Sequence, residues 1–228
     1  MKVSVVIPVH NEEASIEAAI ELLKAQTHTD LEIIVVDNNS TDRTNERASA
    51  TGVKVLLEKR KGTQWARECG RKAAQGEIIA TMDADCLPDA DWVEKAVRHF
   101  SLPEVVAVGG PYYYYDASAF FRDFSLFFQQ TFYVAANYVL QKLHKGAVLI
   151  GGNTMFLASA MEKAGGFNTG LVFYGDDTDT AKRLATQGKV VFDKKLAMKT
   201  SARRLNERGS ITISLVYMYH FFRIIFTK

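Results

Sequence analysis

Four short β-branched runs alternate with amphipathic stretches through the first hundred residues. "KVSVVIPV", "LEIIVVD", "VKVLLE" and "GEIIATMD" read as strands, since Val and Ile in runs of this length suit a pleated, buried surface. Between them apolar positions recur at helical spacing from Glu12 to Gln26, from about Asp42, from about Gly62 to Gln75 and from about Asp89 to Phe100. Strands separated by helices predict an α/β protein with a mostly parallel central sheet and helices on both faces. In such sheets ligands sit beyond the carboxyl ends of the strands. The polar clusters fall there: "PVHNE" after the first strand, "DNNSTD" after the second and "DADC" after the fourth. Within "DNNSTD", Ser40-Thr41-Asp42 contains a helix N-cap.

Residues 117–143 follow a different pattern. Phe121, Phe124, Phe128, Phe132, Ala135, Val139 and Leu143 form one stripe at helical spacing. Ser125, Gln129, Gln130, Thr131, Asn137 and Gln141 make the segment too polar for a spanning helix, which needs about 20 mostly apolar residues. A buried helix or one lying in a membrane interface fits the pattern better. The C-terminal "SITISLVYMYHFFRIIFTK" poses the same choice, interrupted as it is by His220 and Arg223. Membrane association, ordinary packing and an oligomer interface all remain open for the pair. The Tyr112–Tyr115 run has no role that the pattern supplies.

Composition narrows the class. With 228 residues, 47% hydrophobic and 24% charged, the chain is globular rather than disordered. Cys69 and Cys86 match neither a disulfide framework nor a zinc pattern, which points to packing roles in a reducing compartment. The start lacks a basic segment leading into an apolar run, so the expected location is cytoplasmic, with peripheral attachment to the cytoplasmic face of a membrane as the variant. The formal charge of +2 hides an asymmetry, for residues 193–228 hold eight Lys/Arg against Asp193 and Glu207. That basic end suits phosphates, an anionic membrane or plain solvent. No nucleic-acid partner is expected. The divisions drawn from these patterns are one unit over 1–192, with halves 1–110 and 111–192, and a basic, aromatic segment over 193–228.

"ATMDADCLPDADW" repeats Asp-Ala-Asp, as Asp83-Ala84-Asp85 and Asp89-Ala90-Asp91. The first copy ends a buried-strand pattern, and alternation puts Asp83 and Asp85 on one side. Mg2+ or Mn2+ commonly takes one or two carboxylates, with the remaining oxygens from water and a diphosphate. The second copy follows Pro88 and precedes "ADWVEKAVRHF", so Asp89 and Asp91 are expected to cap a helix.

"VSVVIPVHNEE", "IIVVDNNSTDRT", "KGTQWARECGRKAAQGEIIATMDADC" and "GGFNTGLVFYGDDTDTAKRLATQG" together resemble glycosyltransferase family 2, from Val3 to about Gly188. The resemblance implies the GT-A fold and an inverting transferase that uses a nucleotide-diphosphate sugar and Mn2+ or Mg2+. It implies that Pro8, His10, Asn11 and Glu12 surround the nucleotide base, with Asp37 hydrogen-bonding the base and Asn39 nearby. Gly62 and Arg67 match the family's segment lining the nucleotide pocket. Asp83 would face ribose and metal, and Asp85 would ligate the metal.

In the family a carboxylate takes the acceptor's proton, and "FYGDDTDTAKRL" places Asp177 at that position, with Asp176 where the family usually has Glu. The plain alternative is that Asp176, Asp177 and Asp179 cap a helix. "IGGNTMF" and "AGGFN" border the acceptor pocket in the family, making Asn153 a candidate contact. Gly165-Gly166 also reads as a helix C-cap. Arg203 and Arg204 offer planar donor forks for phosphate oxygens or lipid head groups. Asn38 and Cys86 depart from acidic residues often found there. The Gln-x-x-Arg-Trp motif of processive synthases is missing, so transfer of a single sugar to a glycan or lipid-linked acceptor is expected. A catalytically silent module that binds nucleotide sugar or docks on a membrane is the rival reading. Neither Gly-x-Gly-x-x-Gly nor a Walker loop follows the first strand, which argues against dinucleotide or Walker-type nucleotide binding.

Overall fold

The computed structural model describes residues 1–171, 175–203, 205 and 210–226. β1 (Val3–Val9), β2 (Leu31–Asp37), β3 (Lys54–Leu57) and β4 (Ile78–Met82) realise the four strands read from the sequence. With β5 (Val105–Gly109), β7 (Asn153–Leu157) and β8 (Lys189–Phe192) they form a seven-stranded sheet in the order β3-β2-β1-β4-β7-β5-β8. β1 runs parallel between β2 and β4, whereas β7 is antiparallel to both β4 and β5. β5 and β8 are parallel again. A second, two-stranded sheet pairs β6 (Tyr112–Tyr114) with β9 (Met198–Thr200).

Strand alternation divides the core in two. Val3, Val5, Ile7 and Val9 pack on one face with α1 (Ile16–Lys24) and α4 (Trp92–Val97). Val6, Ile34, Val36 and Ile79 pack on the other with α3 (Thr63–Ala73), α7 (Ala158–Lys163) and α8 (Asp176–Leu184). Helices therefore cover both faces, as expected of a sheet whose strands are buried on both sides. The chain passes from β1 to β2 and β3 in one direction and returns to place β4 on the other side of β1. The strand order reverses there, so a crevice opens beyond the carboxyl ends of β1 and β4.

Several local expectations change. α1 starts at Ile16 rather than Glu12, because Asn11 takes a positive φ of 56° and Glu12 O accepts from the N–H groups of Ser15 and Ile16 in a separate turn. α2 (Thr44–Ala50) has Arg43 at its N-cap without a side-chain cap bond, while Asp42 Oδ1 accepts from the Thr44 N–H at 3.0 Å. Asp89 and Asp91 do not cap α4. Asp91 occupies the cap position without a side-chain cap bond and pairs with Lys95 at 2.7 Å, and Asp89 pairs with Lys199 at 3.0 Å. Both carboxylates still lie near a positive helix end, but lysines within reach take their lone pairs. The predicted cap after α7 is found: Gly165 and Gly166 both have positive φ, and their N–H groups bond back to Glu162 O and Met161 O.

The aromatic segment forms α5 (Ala119–Phe128), a π turn (Gln129–Tyr133) and α6 (Val134–Lys142). Burial of the stripe is overturned, since Phe124, Phe128, Phe132, Val139 and Leu143 are all exposed. The inner face carries buried amides beside Leu140, Tyr133, Val134 and Ala136. Gln129 Oε1 accepts from the Tyr112 N–H at 2.8 Å and its Nε2 donates to Tyr112 O at 3.1 Å. Gln141 does the same for both backbone groups of Val190, at 2.9 and 2.8 Å, and Asn137 Nδ2 adds a bond to Val190 O at 2.9 Å. Because β8 is an edge strand of the sheet, these amides occupy backbone groups that would otherwise face outward. The last helix, α9 (Ser210–Phe226), sets Phe221 and Ile225 beside Leu140 and Phe192. Among the described residues no helix is long and apolar enough to cross a membrane.

Candidate active site

Three loops meet beyond β1 and β2, and Asn38 joins them. Its Nδ2 donates to Glu58 O and Arg60 O at 2.7 Å each, and its Oδ1 accepts from the Gly62 N–H at 2.8 Å. Its backbone oxygen sits 2.9 Å from His10 Nδ1. An Asp here could not donate to those two carbonyls, so the departure from the family pattern has a structural reason. Pro8 lies within β1 opposite Val36. Asn11 and Asn39 both take positive φ, a conformation Asn tolerates better than most residues. Asn11 Oδ1 accepts from the Thr41 N–H at 2.8 Å, and Asn39 Nδ2 donates to Lys59 O at 2.7 Å.

Asp37 is buried, and its carboxylate accepts from the Ser40 N–H at 2.9 Å and from Asn45 Nδ2 at 3.1 Å. Gly62 starts α3 at φ 132°, open to glycine and strained for other residues. Within the loop after β3, Arg60 lies 3.7 Å over the Trp65 ring and forks onto buried Glu58. The hydrogen bonds from Arg60 hold the Glu58 carboxyl below its ordinary range. Sequence reading missed this wall, because a pair two residues apart in a loop has no periodic signal.

The second cluster centres on Arg67, which is buried in α3 at 4% exposure. Its Nη2 meets Asp83 Oδ1 at 3.2 Å, and its Nη1 meets Asp177 Oδ1 at 3.2 Å and Asp176 Oδ2 at 3.3 Å. Burial opposes the charge on Arg67, but Asp177, Asp83 and Asp176 outweigh it, and the guanidinium is held protonated. Gln64, one turn earlier on α3, donates to Asp176 Oδ2 at 2.5 Å. Burial first, and the charge of Asp177 second, push Asp176 up to about 7 against the pull of Arg67 and Gln64.

Asp83 is held from a further side, where Tyr112 Oη donates to its Oδ2 at 3.0 Å. Burial and the charge of Asp83 raise the Tyr112 phenol well above its ordinary range, so it remains a donor. This gives the tyrosine run a place in the site. Gly151 and Gly152 close the cluster: a Cβ on Gly151 would strike Asp177 Oδ1 and Arg67, and one on Gly152 would strike Tyr112 Oη and Asp83. The backbone approaches the acids this closely only because both residues are glycine.

Other candidates sit elsewhere. Asn153 is fully buried, with Oδ1 accepting from Trp92 Nε1 at 2.9 Å and Nδ2 donating to Pro111 O and Leu196 O at 3.2 and 2.7 Å. These bonds hold the start of β7 to Trp92 and to the segments at Pro111 and Leu196. Arg203 Nη2 reaches Glu12 Oε1 at 2.5 Å, tying the basic segment to the loop after β1. Arg204 lies outside the described residues.

The donor set at the end of β4 suits a hard cation. Asp83 and Asp85 offer carboxylate oxygens, while Cys86 points its Sγ into the core, 3.8 Å from Gly152 O. Asp85 Oδ1 accepts from Thr200 Oγ1 at 3.4 Å. Among the described residues no three His, Cys, Asp or Glu side chains form a ligand group. One or two carboxylates are what Mg2+ or Mn2+ draws from a protein when phosphate and water complete its shell.

Residues 4–165 match the description "Glycosyl transferase family 2". The chain belongs to this family. Asp176 and Asp177 lie beyond the matched residues, and they join the family's portion through Arg67. Over 116 residues the family member is 36% identical to Glycosyltransferase AglE of Haloferax volcanii, covering 47% of this chain and 38% of that protein. It is also 36% identical over 118 residues to a dolichol-phosphate mannosyltransferase of Pyrococcus furiosus, covering 49% and 34%. The chain spans about 35–40% of the length of the first curated relatives it matches.

Among solved structures, mannosyltransferase PcManGT from Pyrobaculum calidifontis, in complex with GDP-Man and Mn2+, aligns with a TM-score of 0.76 at 25% identity, covering 100% of this chain and 65% of that one. Glucosyl-3-phosphoglycerate synthase from Mycobacterium tuberculosis, in complex with Mn2+, UDP and phosphoglyceric acid, aligns with a TM-score of 0.64 at 22% identity over 100% and 79% of the two chains. The fold is therefore GT-A.

Proposed function

We propose that this chain is an inverting glycosyltransferase that moves one sugar from a nucleotide-diphosphate sugar to a hydroxyl or lipid-phosphate acceptor in a single displacement. The observation that supports it most is the gathering of Asp83, Asp176 and Asp177 on the buried guanidinium of Arg67. One side chain thereby links the strand end suited to a diphosphate with carboxylates suited to receive a proton. The GDP-Man and Mn2+ held by PcManGT, and the name of the Pyrococcus relative, favour the same donor class and a lipid-phosphate acceptor.

In this reading the loops at Pro8, His10, Asn11, Glu12, Asp37, Asn39 and Gly62 receive the nucleoside, and Asp83 and Asp85 hold Mn2+ or Mg2+. When bound, the cation supplies Lewis-acid stabilisation of the leaving diphosphate. Asp177 is the general base. The acceptor oxygen attacks the anomeric carbon, its proton passes to an Asp177 oxygen, and the bond to the diphosphate breaks with its electron pair leaving on the diphosphate. Arg67 orients Asp177 and Asp83 without taking part in bond making.

Asp177→Asn keeps the shape and removes the base. Turnover should fall by roughly 100- to 10,000-fold while donor affinity, measured by calorimetry, stays unchanged. Wild-type turnover in this variant would sink the base assignment. Asp85→Ala should lose the Mn2+-dependent part of donor binding. Slow, metal-dependent hydrolysis of the donor without acceptor separates an enzyme from a silent binding module.

A further inference from the structure

We infer that the outer face of α5, the π turn and α6 is a docking surface for an anionic phospholipid membrane. Besides the small apolar side at Tyr133, Val134, Ala136 and Leu140 that meets the core, the helix carries a second, larger aromatic side turned to solvent, unlike an ordinary amphipathic helix of a globular protein. Its amides Gln129, Asn137 and Gln141 face inward and are matched to backbone groups, and its aromatics face solvent. Phe120 is 82% exposed, and Phe127 and Tyr138 are each 64% exposed. Phe120, Phe124, Phe128 and Phe132 stack in sequence along the helix, with ring centroids 6.0, 6.5 and 4.9 Å apart. A contiguous aromatic face of this kind marks an interaction site, whereas scattered exposed apolar residues need no explanation.

Charge on the flank selects the occupant. Lys142 and Lys145 are exposed at the carboxyl end of α6, and Lys194 and Lys195 are exposed on the loop that Gln130 Nε2 contacts at Lys194 O, 3.2 Å away. Among the described residues none of these four lysines is paired with an acid. The acid on the helix surface, Asp123, is already paired with Arg122 at 2.9 Å. Aromatic rings with a lysine border suit the head-group region of an anionic bilayer. A second copy would bring the same lysines against their like. The neighbouring α9 does not cover the face either, because it packs through Phe221 and Ile225 and leaves Phe222 and Phe226 exposed. Gln129 ties the docked helix to Tyr112, and Tyr112 to Asp83, so the surface and the acid cluster share one rigid connection.

The test is sedimentation of the full chain with vesicles of phosphatidylcholine alone or mixed with phosphatidylglycerol, at low and high salt. Wild type should partition onto the mixed vesicles and release as salt rises. The variant Phe120→Ser/Phe127→Ser/Tyr138→Ser alters only solvent-facing positions, and its partition should fall at least about tenfold with its circular dichroism and melting unchanged. Lys142→Glu/Lys194→Glu should erase the preference for the mixed vesicles. Vesicle binding by the serine variant equal to wild type would overturn the inference, as would wild type that stays in solution with both vesicle types. A dimer in light scattering that the serine variant dissociates would replace the membrane with a second copy. None of these readouts requires transfer activity, so the membrane inference and the proposed reaction can fail separately.

Discussion

Asp176 and Asp177 are neighbours with different surroundings. Asp176 is buried among Gln64, Arg67 and Asp177, and its carboxyl titrates at about 7 instead of the ordinary 3.8. A raised folded-state value means that stability from this group is fully present below pH 3.8 and is lost as pH rises through about 7. Asp176→Asn keeps the hydrogen-bonding shape without the titration. In urea unfolding with EDTA, the variant should gain on wild type between pH 5 and pH 8 by a few kcal/mol; a constant difference would place the titration elsewhere. The sequence assigned the two aspartates different places by resemblance, but it did not show their difference in environment, which comes first from the burial of Asp176 by a fold whose contacts reach back to Gln64 and Arg67, more than 100 residues away. Asn153 likewise has surroundings that the sequence does not show: Trp92 Nε1 and two carbonyls engage its amide.

At the scale of elements, the strands and the helices between them were legible because burial on both sheet faces writes a continuous apolar run. The aromatic helix was legible as a helix, with its orientation left open between burial and a membrane interface. Periodicity locates a stripe but does not state which stripe faces inward, and here the core side combines the backbone of Tyr112 and Val190 with the small apolar cluster of Leu140, Val148, Phe192 and Ile225. Gln141→Leu tests this. Leu is at least as good a helix former and more apolar, yet the change leaves the Val190 N–H and part of its carbonyl demand unmet on an edge strand. Stability should fall by about 2 kcal/mol, read from denaturant midpoints. A neutral or stabilising result would show that the amide match contributes little. Asp89 failed as a cap for a related reason, because Lys199 comes from a strand that the local sequence does not reveal, whereas Asp91 holds the cap position and turns its side chain to Lys95 one turn on.

For the whole molecule, the acids outnumber the basic group at the site. Asp83, Asp176 and Asp177 face Arg67, and Asp85 lies beyond Asp83 at the strand end. A donor diphosphate adds negative charge, so its binding should depend on a divalent cation. In a thermal-shift screen, the correct nucleotide sugar with Mn2+ should raise the midpoint by roughly 5–10 °C at about 100 times its Kd. EDTA should abolish that rise, and an equal rise in EDTA would remove the cation from the donor site. The nucleotide base, the sugar and the acceptor leave no periodic trace in a chain of this kind, and the screen supplies the first two.

Arg67 also sets an order on folding. Its partners Asp176 and Asp177 are 109 and 110 residues further along the chain. Until α8 docks on α3, the guanidinium is either exposed or buried with Asp83 alone, and burying a charge short of its partners costs about 3–5 kcal/mol. Contacts of such sequence separation form late, after the local strand pairs that precede them. The loops after β1 and β2 can therefore assemble early, but the buried arginine works as an interlock. The acid cluster is complete only when the far half of the chain has arrived, since two of the three carboxylates on Arg67 come from α8.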